Sequence, residues 1–225
     1  MNIKAVLGLL ALAVWPVLAA EPLPAPWQHQ DIGAVQLPGT AEVAGGVLVL
    51  QGTLDIWGVA DGCHIAWQPV HGDGVLLVRV VAMDNPGGVA HAKAGLCLRE
   101  SLEAGARHVT LCTTPTDGAQ FLYREVANGK TIRFRAEAGE QKAAVAKGQF
   151  PCWLKLVRHG NEFSGFESAD GATWQPTGRV TLELPGAALA GLTASSHKTN
   201  ILTKATFDHV DFSLTPAEKK TDKRP

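Results

Sequence analysis

The fold this sequence predicts is an all-β sandwich of two antiparallel sheets, and three observations predict it. Short runs of Val, Leu, Ile and Thr recur along the chain, each bounded by a turn signal. Few stretches carry the 3.6-residue apolar period of a helix. Glycine and proline, 24 and 13 of 225 residues, are frequent enough to punctuate strands throughout. The best-specified unit is residues 92–115, a predicted β-hairpin. Ala94, Leu96 and Leu98 alternate with Lys93, Gly95, Cys97 and Arg99; on the return, Val109 and Leu111 alternate with Thr110, Cys112 and Thr114. The connection 102–106 contains Gly105, and a turn centred between Ala104 and Gly105 sets Cys97 directly across from Cys112 on one face.

Taken in order, the chain opens with the features of a signal peptide over residues 1–20. Lys4 supplies the positive charge, 5–14 the apolar run, and 16–20 end in small residues suited to cleavage. The apolar run is too short for a membrane span and has no positive flank after it. No cysteine follows the cleavage region, so a bacterial lipid anchor is not indicated. The expected product starts at Ala20 or Glu21 and is exported to periplasm or medium. Residues 21–26 are a short proline-rich stretch, extended in character.

The predicted sandwich occupies residues 27–214. Residues 27–37 lead into a first strand, and 40–43 with 46–51 form a hairpin turning at Ala44-Gly45-Gly46. Residues 63–68 and 75–81 are strands joined through Gly72-Asp73-Gly74, with Leu76, Val78 and Val80 as a core row that turns Arg79 to the other side. After the central hairpin come strands at 119–126 and 130–136, then a poorly specified connection at 137–148. Residues 151–158 and 162–168 pair through His159-Gly160-Asn161, and strands at 179–184, 191–197 and 204–214 complete the set. The lysine-rich tail, 215–225, is expected to be disordered.

Composition excludes some classes. Net charge is −1 and the pI near neutral, so a general polyanion binder such as a DNA-binding protein is not expected. The expectation is a monomer without nucleic-acid partner, membrane insertion or cofactor. Four cysteines in an exported chain permit disulfides, with three possible pairings. The hairpin register favours Cys97 with Cys112, leaving Cys63 with Cys152; two neighbouring thiols are the alternative. No spacing is of the CxxC kind, so a structural zinc site is not indicated.

Several motifs follow one another in a recognisable order. They are Asp55-Ile56-Trp57-Gly58, residues 64–68 with Gly72-Asp73-Gly74, Ala92-Lys93-Ala94-Gly95 and Arg99-Glu100-Ser101-Leu102. Residues 114–118, 121–124, Trp153-Leu154-Lys155-Leu156, 168–171 with Trp174, and Phe207-Asp208 complete the series. In this the chain resembles the uncharacterised concanavalin A-like lectin/glucanase domain family sometimes labelled "regulation of enolase", from about Trp27 to Phe212. The resemblance implies a concanavalin-like jelly roll of two antiparallel sheets and a presumed glycan-binding role in exported bacterial proteins. The sequence departs from the family pattern at Cys63, Cys97 and Cys152, where larger apolar residues are usual.

In such a jelly roll the concave face of one sheet is the usual ligand groove. Cations on non-core strand faces, Arg79, Lys93, Arg99 and Arg124, would then hydrogen-bond a polysaccharide or oligosaccharide together with His64, Gln68 and Tyr123. The competing reading is a solvated face whose cations pair with Glu100, Glu125 or Asp73. Among the tryptophans, Trp57 in a loop is the candidate stacking platform, whereas Trp67 and Trp153 fall on strands and are expected to be partly core. Asp55, Asp61 and Asp73 could hold calcium, but such spacing is also that of ordinary turn formers. The histidines show no HxH or HExxH arrangement. A retaining glucanase needs two carboxylates on one strand face; no E-x-D-x-x-E strand is present, Glu162 and Glu167 fall on opposite faces, and Glu183 stands alone. The expected function is therefore a non-catalytic carbohydrate-binding module, with a glycoside hydrolase or lyase, or a cell-envelope interaction module, as alternatives.

Overall fold

The structure, a computed structural model, describes residues 20–135 and 147–215. The leader, the C-terminal tail and most of the 137–148 connection lie outside the described residues. Fourteen strands follow in chain order: β1 (Gln28–Ile32), β2 (Thr40–Ala44), β3 (Val47–Gly52), β4 (Cys63–His71), β5 (Asp73–Asp84), β6 (Lys93–Arg99) and β7 (His108–Thr114). Then come β8 (Gly118–Arg124), β9 (Ile132–Arg133), β10 (Cys152–His159), β11 (Glu162–Ser168), β12 (Gln175–Thr181), β13 (Ala187–Ser195) and β14 (Thr203–Thr215). They form two antiparallel sheets of seven strands. The first runs β1-β4-β13-β6-β7-β8-β9 and the second β12-β11-β10-β5-β14-β3-β2.

Local chemistry explains the pairing. The β2–β3 turn places Gly45 and Gly46 at φ +61° and +82°, the two positive values that a two-residue hairpin turn requires and glycine supplies without strain. Between the sheets, the predicted row of Leu76, Val78 and Val80 is fully buried against Leu96, Leu98, Val109, Leu111, Phe121, Leu154, Leu156 and Phe207. At roughly 1.5–3 kcal/mol for each large apolar side chain removed from water, this layer is the main source of stability.

The central hairpin forms, but its register differs from the expected one. Gly95 lies opposite Cys112, Leu96 opposite Leu111, and Cys97 opposite Thr110. The turn therefore centres one residue earlier than predicted, between Glu103 and Ala104, with Glu100 N–H donating to the Arg107 carbonyl at 3.0 Å and Ala106 N–H to that of Glu103 at 3.0 Å. A two-residue slip keeps every side chain on its predicted face while separating the two sulfurs along the strands. The expected Cys97–Cys112 bond is thus not formed: Cys63, Cys97, Cys112 and Cys152 are all free and buried.

A second correction concerns the outward face of the first sheet. Every residue of β6 and β7 is buried, on both faces. The face predicted to be an open groove carries a second, smaller apolar cluster of Ile32, Cys63, Ile65, Cys97, Cys112 and Leu122, joined from outside the sheet by the buried Ile56 and by the partly buried Leu102 and Ala104. Ile56 belongs to the β3–β4 connection, residues 53–62, which lies over the sheet and occupies the middle of that face.

Candidate functional site

The connecting segment is anchored at both ends by backbone bonds. Leu54 N–H donates to the Lys198 carbonyl (2.7 Å), His197 N–H to that of Leu54 (2.5 Å), and Gly62 N–H to that of Asp55 (2.7 Å). Farther along, Asp61 N–H reaches the Ala104 carbonyl and Thr131 N–H the Gly58 carbonyl, at 2.8 and 2.7 Å. Within this frame successive residues face opposite ways: Ile56 is 1% exposed and Trp57 is 48% exposed.

At one end of the segment a buried ionic knot forms. Asp61 accepts from Arg99 Nη1 at 2.7 Å and from Arg124 Nη2 and Nη1 at 2.6 and 3.0 Å. One carboxylate between two guanidiniums leaves an excess positive charge, which backbone dipoles solvate. Arg99 donates to the carbonyls of Ser101 and Glu103; Arg124 donates to those of Gly58, Ala104, Ala106 and Gly129 and to Thr131 Oγ1. Burial alone would lift the Asp61 carboxyl, but the Arg99 and Arg124 guanidiniums outweigh it and hold the group below its ordinary value. His108 packs beside them, its Nδ1 3.0 Å from Thr110 Oγ1. Burial pushes this imidazole down to about 3, so it is neutral.

Arg99 and Arg124, predicted as ligand donors, are therefore not on an open surface. Their exposures are 1% and 0%, and protein oxygens occupy their donors. His64 is likewise buried: its Nδ1 lies 2.8 Å from Asp31 Oδ1 and its Nε2 3.0 Å from His29 Nδ1. Tyr123 packs toward the inter-sheet core, on the opposite face of β8 from Arg124. Gln68 lies beside Phe212 and Leu214 at another edge of the sandwich. Arg79 is on the second sheet, paired with Asp208 through two nitrogens and stacked 5.6 Å from the Trp153 ring. The three candidate calcium carboxylates are engaged separately: Asp55 by Lys93 and His197, Asp61 by the arginines, Asp73 by Gly160 N–H.

At the other end of the segment is a cleft of about 370 Å³, which brings together two of the predicted residues, Trp57 and Lys93. Asp55, Asp117, Gln120, Arg133, Arg135, His91 and His197 complete its lining. Asp55 bridges two walls: Lys93 Nζ donates to its Oδ1, and its Oδ2 lies 2.8 Å from His197 Nδ1. Lys93 Nζ also reaches the His91 carbonyl at 3.2 Å. The His91 and His197 rings meet edge to face, 5.4 Å apart. On the facing side Asp117 Oδ2 accepts from Arg133 Nη1 (2.9 Å) and Gln120 Nε2 (3.1 Å). Its position follows from the sequence Thr114-Pro115-Thr116-Asp117-Gly118, where Thr114 Oγ1 takes the Asp117 N–H at 3.0 Å and Gly118 adopts φ +71°. Partial burial would raise the Asp117 carboxyl, yet Arg133 beside it holds it below its usual value, in the ionised form.

Chemically the cleft is a donor-rich recess with one exposed indole on its lining. Both of its carboxylates are ion-paired. Six of its residues, His91, Asp117, Gln120, Arg133, Arg135 and His197, were not singled out from sequence as binding groups, since four sit in or beside loops and Gln120 and Arg133 lie on β8 and β9 at one side of the first sheet.

No family model and no curated protein matches the chain. Solved structures do. A functionally unknown protein from Saccharomyces cerevisiae superposes with a TM-score of 0.60 at 17% identity, covering 84% of this chain and 97% of that one. The catalytic domain of an endo-1,3-β-glucanase (laminarinase) from Thermotoga petrophila gives 0.51 at 11% identity over 84% and 91%. The fold is a concanavalin-like jelly roll, shared with that glucanase domain. A xylan β-1,4-xylosidase from Bacillus halodurans gives 0.56 at 16% identity, covering 89% of this chain, which spans only 40% of that enzyme.

Proposed function

We propose that this jelly roll is an exported, non-catalytic carbohydrate-binding module whose ligand occupies the cleft beside Trp57. The observation that carries the proposal is the pairing of a 48% exposed indole with a recess of fixed donors, in a molecule whose other large aromatic side chains are mostly packed. An indole face matches the C–H face of a pyranose, and Arg133, held by Asp117, offers N–H groups to hydroxyls, while the largely buried Lys93 and Gln120 fix the two carboxylates of the lining. The same pairing weighs against hydrolysis. A glycosidase needs one carboxyl kept protonated near neutral pH, and Asp117 is shifted the opposite way.

The resemblance to the family labelled "regulation of enolase" rests on motif order alone, with no family model matching the chain, and the proposal of export rests on the character of residues 1–20. The xylan and β-1,3-glucan named for two of the structural neighbours are reasonable first ligands for a panel. The test is a glycan array probed with the chain and with Trp57→Ala. Binding to one glycan class that falls about tenfold in the variant, with unchanged thermal stability, supports the proposal. Reducing-sugar release from the bound polysaccharide would instead establish a hydrolase. Binding unaffected by Trp57→Ala would move the ligand elsewhere.

A further inference from the structure

Within this carbohydrate-binding reading, on which the inference rests, we propose that the cleft selects a sugar bearing a carboxylate, with Arg135 as the residue that engages it. The charges lining the cleft are unequal: Lys93, Arg133 and Arg135 against Asp55 and Asp117. Each carboxylate is already committed. Asp55 takes Lys93 and His197, and Asp117 takes Arg133 and Gln120. Arg135 is the cation left over. It is exposed, lines the cleft, and makes no hydrogen bond or ion pair to the described residues.

Its neighbour two residues back on the same short strand end, Arg133, commits Nη1 to Asp117. Arg133 is thereby fixed in place on the lining of the cleft. An unpaired guanidinium beside a fixed one, in a partly enclosed site, is suited to a planar carboxylate, which accepts two parallel N–H bonds. A neutral hydroxyl would leave the excess charge uncompensated as water is displaced. The ligand class that satisfies indole, hydroxyl-directed donors and surplus charge together is a uronate-containing oligosaccharide.

The test compares three uronate oligosaccharides, of galacturonate, glucuronate and mannuronate type, each with its carboxyl-reduced counterpart, which differs only in –COO⁻ against –CH2OH. Binding of at least one acid about tenfold or more tighter than its reduced form, weakened by salt, is expected. That preference should disappear in Arg135→Gln, an exposed position where folding is unaffected, and shrink in Arg133→Gln. Equal affinity for acid and reduced forms, binding of neutral glycans alone, or a preference that survives Arg135→Gln overturns the inference while leaving the carbohydrate reading standing. Binding to no glycan, acidic or neutral, overturns both.

Discussion

Arg124 grips the Asp61 carboxylate with both terminal nitrogens, at 2.6 and 3.0 Å, and in doing so ties the β3–β4 segment onto the outward face of the first sheet. Arg99 holds the same carboxylate from the neighbouring side at 2.7 Å. A charge of one sign is thus compensated by side chains 38 and 63 residues away. Asp61→Asn keeps the shape but leaves two buried guanidiniums without a counterion, and carbonyl dipoles alone do not replace it. The expected loss is about 3–5 kcal/mol of unfolding free energy in urea titration. A loss under about 1 kcal/mol would mean that water reaches the knot.

Acid should unfold the protein earlier than its carboxylates require, because His108 is buried neutral. In the unfolded chain its imidazole takes a proton below about 6.5; in the folded chain it does so only near 3. Between those values the unfolded state binds more protons, so stability present above pH 6.5 is lost as pH falls toward 3. His64, also shifted down by burial, adds loss of the same sign. Asp61 contributes at the low end, its stabilisation disappearing as pH drops through its depressed folded value. Unfolding free energies from urea titrations at pH 7 to 4 should fall with a slope of up to about 1.4 kcal/mol per pH unit for each such imidazole, and His108→Gln should flatten the curve. An unchanged slope in the variant would show that His108 does not titrate in the unfolding transition.

The cysteines should be silent in the native state and countable in the denatured one. All four thiols are buried; burial pushes Cys63 up to about 11 and Cys97, Cys112 and Cys152 to about 12, so almost no thiolate exists at neutral pH. Ellman's reagent should titrate essentially none in native protein and four per chain in guanidinium. Two per chain after denaturation would demonstrate a disulfide and refute the free state.

The strands were legible because alternation and turn residues are local signals: Leu76, Val78 and Val80, or Gly45-Gly46, declare themselves within a few residues. The hairpin register was not, because its loop is shaped by Arg99 and Arg124 drawing in the carbonyls of Ser101, Glu103, Ala104 and Ala106. No turn propensity encodes that demand. Lys93, Arg99 and Arg124 show the alternation of a solvated face, and only the segment carrying Ile56 and Asp61, which has no period of its own, puts them inside. Of the cleft, Trp57 and Lys93 were readable as residue types in place, whereas the union of His91, Asp117, Arg135 and His197 is a product of tertiary structure.

Lys93 and Asp55 should prove coupled in a way that separates cleft architecture from global stability. The Lys93 side chain is 4% exposed, and Asp55 is its sole ionic partner among the described residues, with the His91 carbonyl as its other acceptor. Asp55→Asn leaves the Lys93 ammonium nearly buried and unpaired, and it also releases His197 from the opposite wall. Lys93→Met removes the cation and lets the stem pack, but it leaves Asp55 with His197 alone. Removing both partners should therefore cost less than the two single losses added, with a coupling of roughly 0.5–3 kcal/mol in a double-mutant cycle. Strict additivity would mean that solvent screens the pair and that the cleft wall is not built on it.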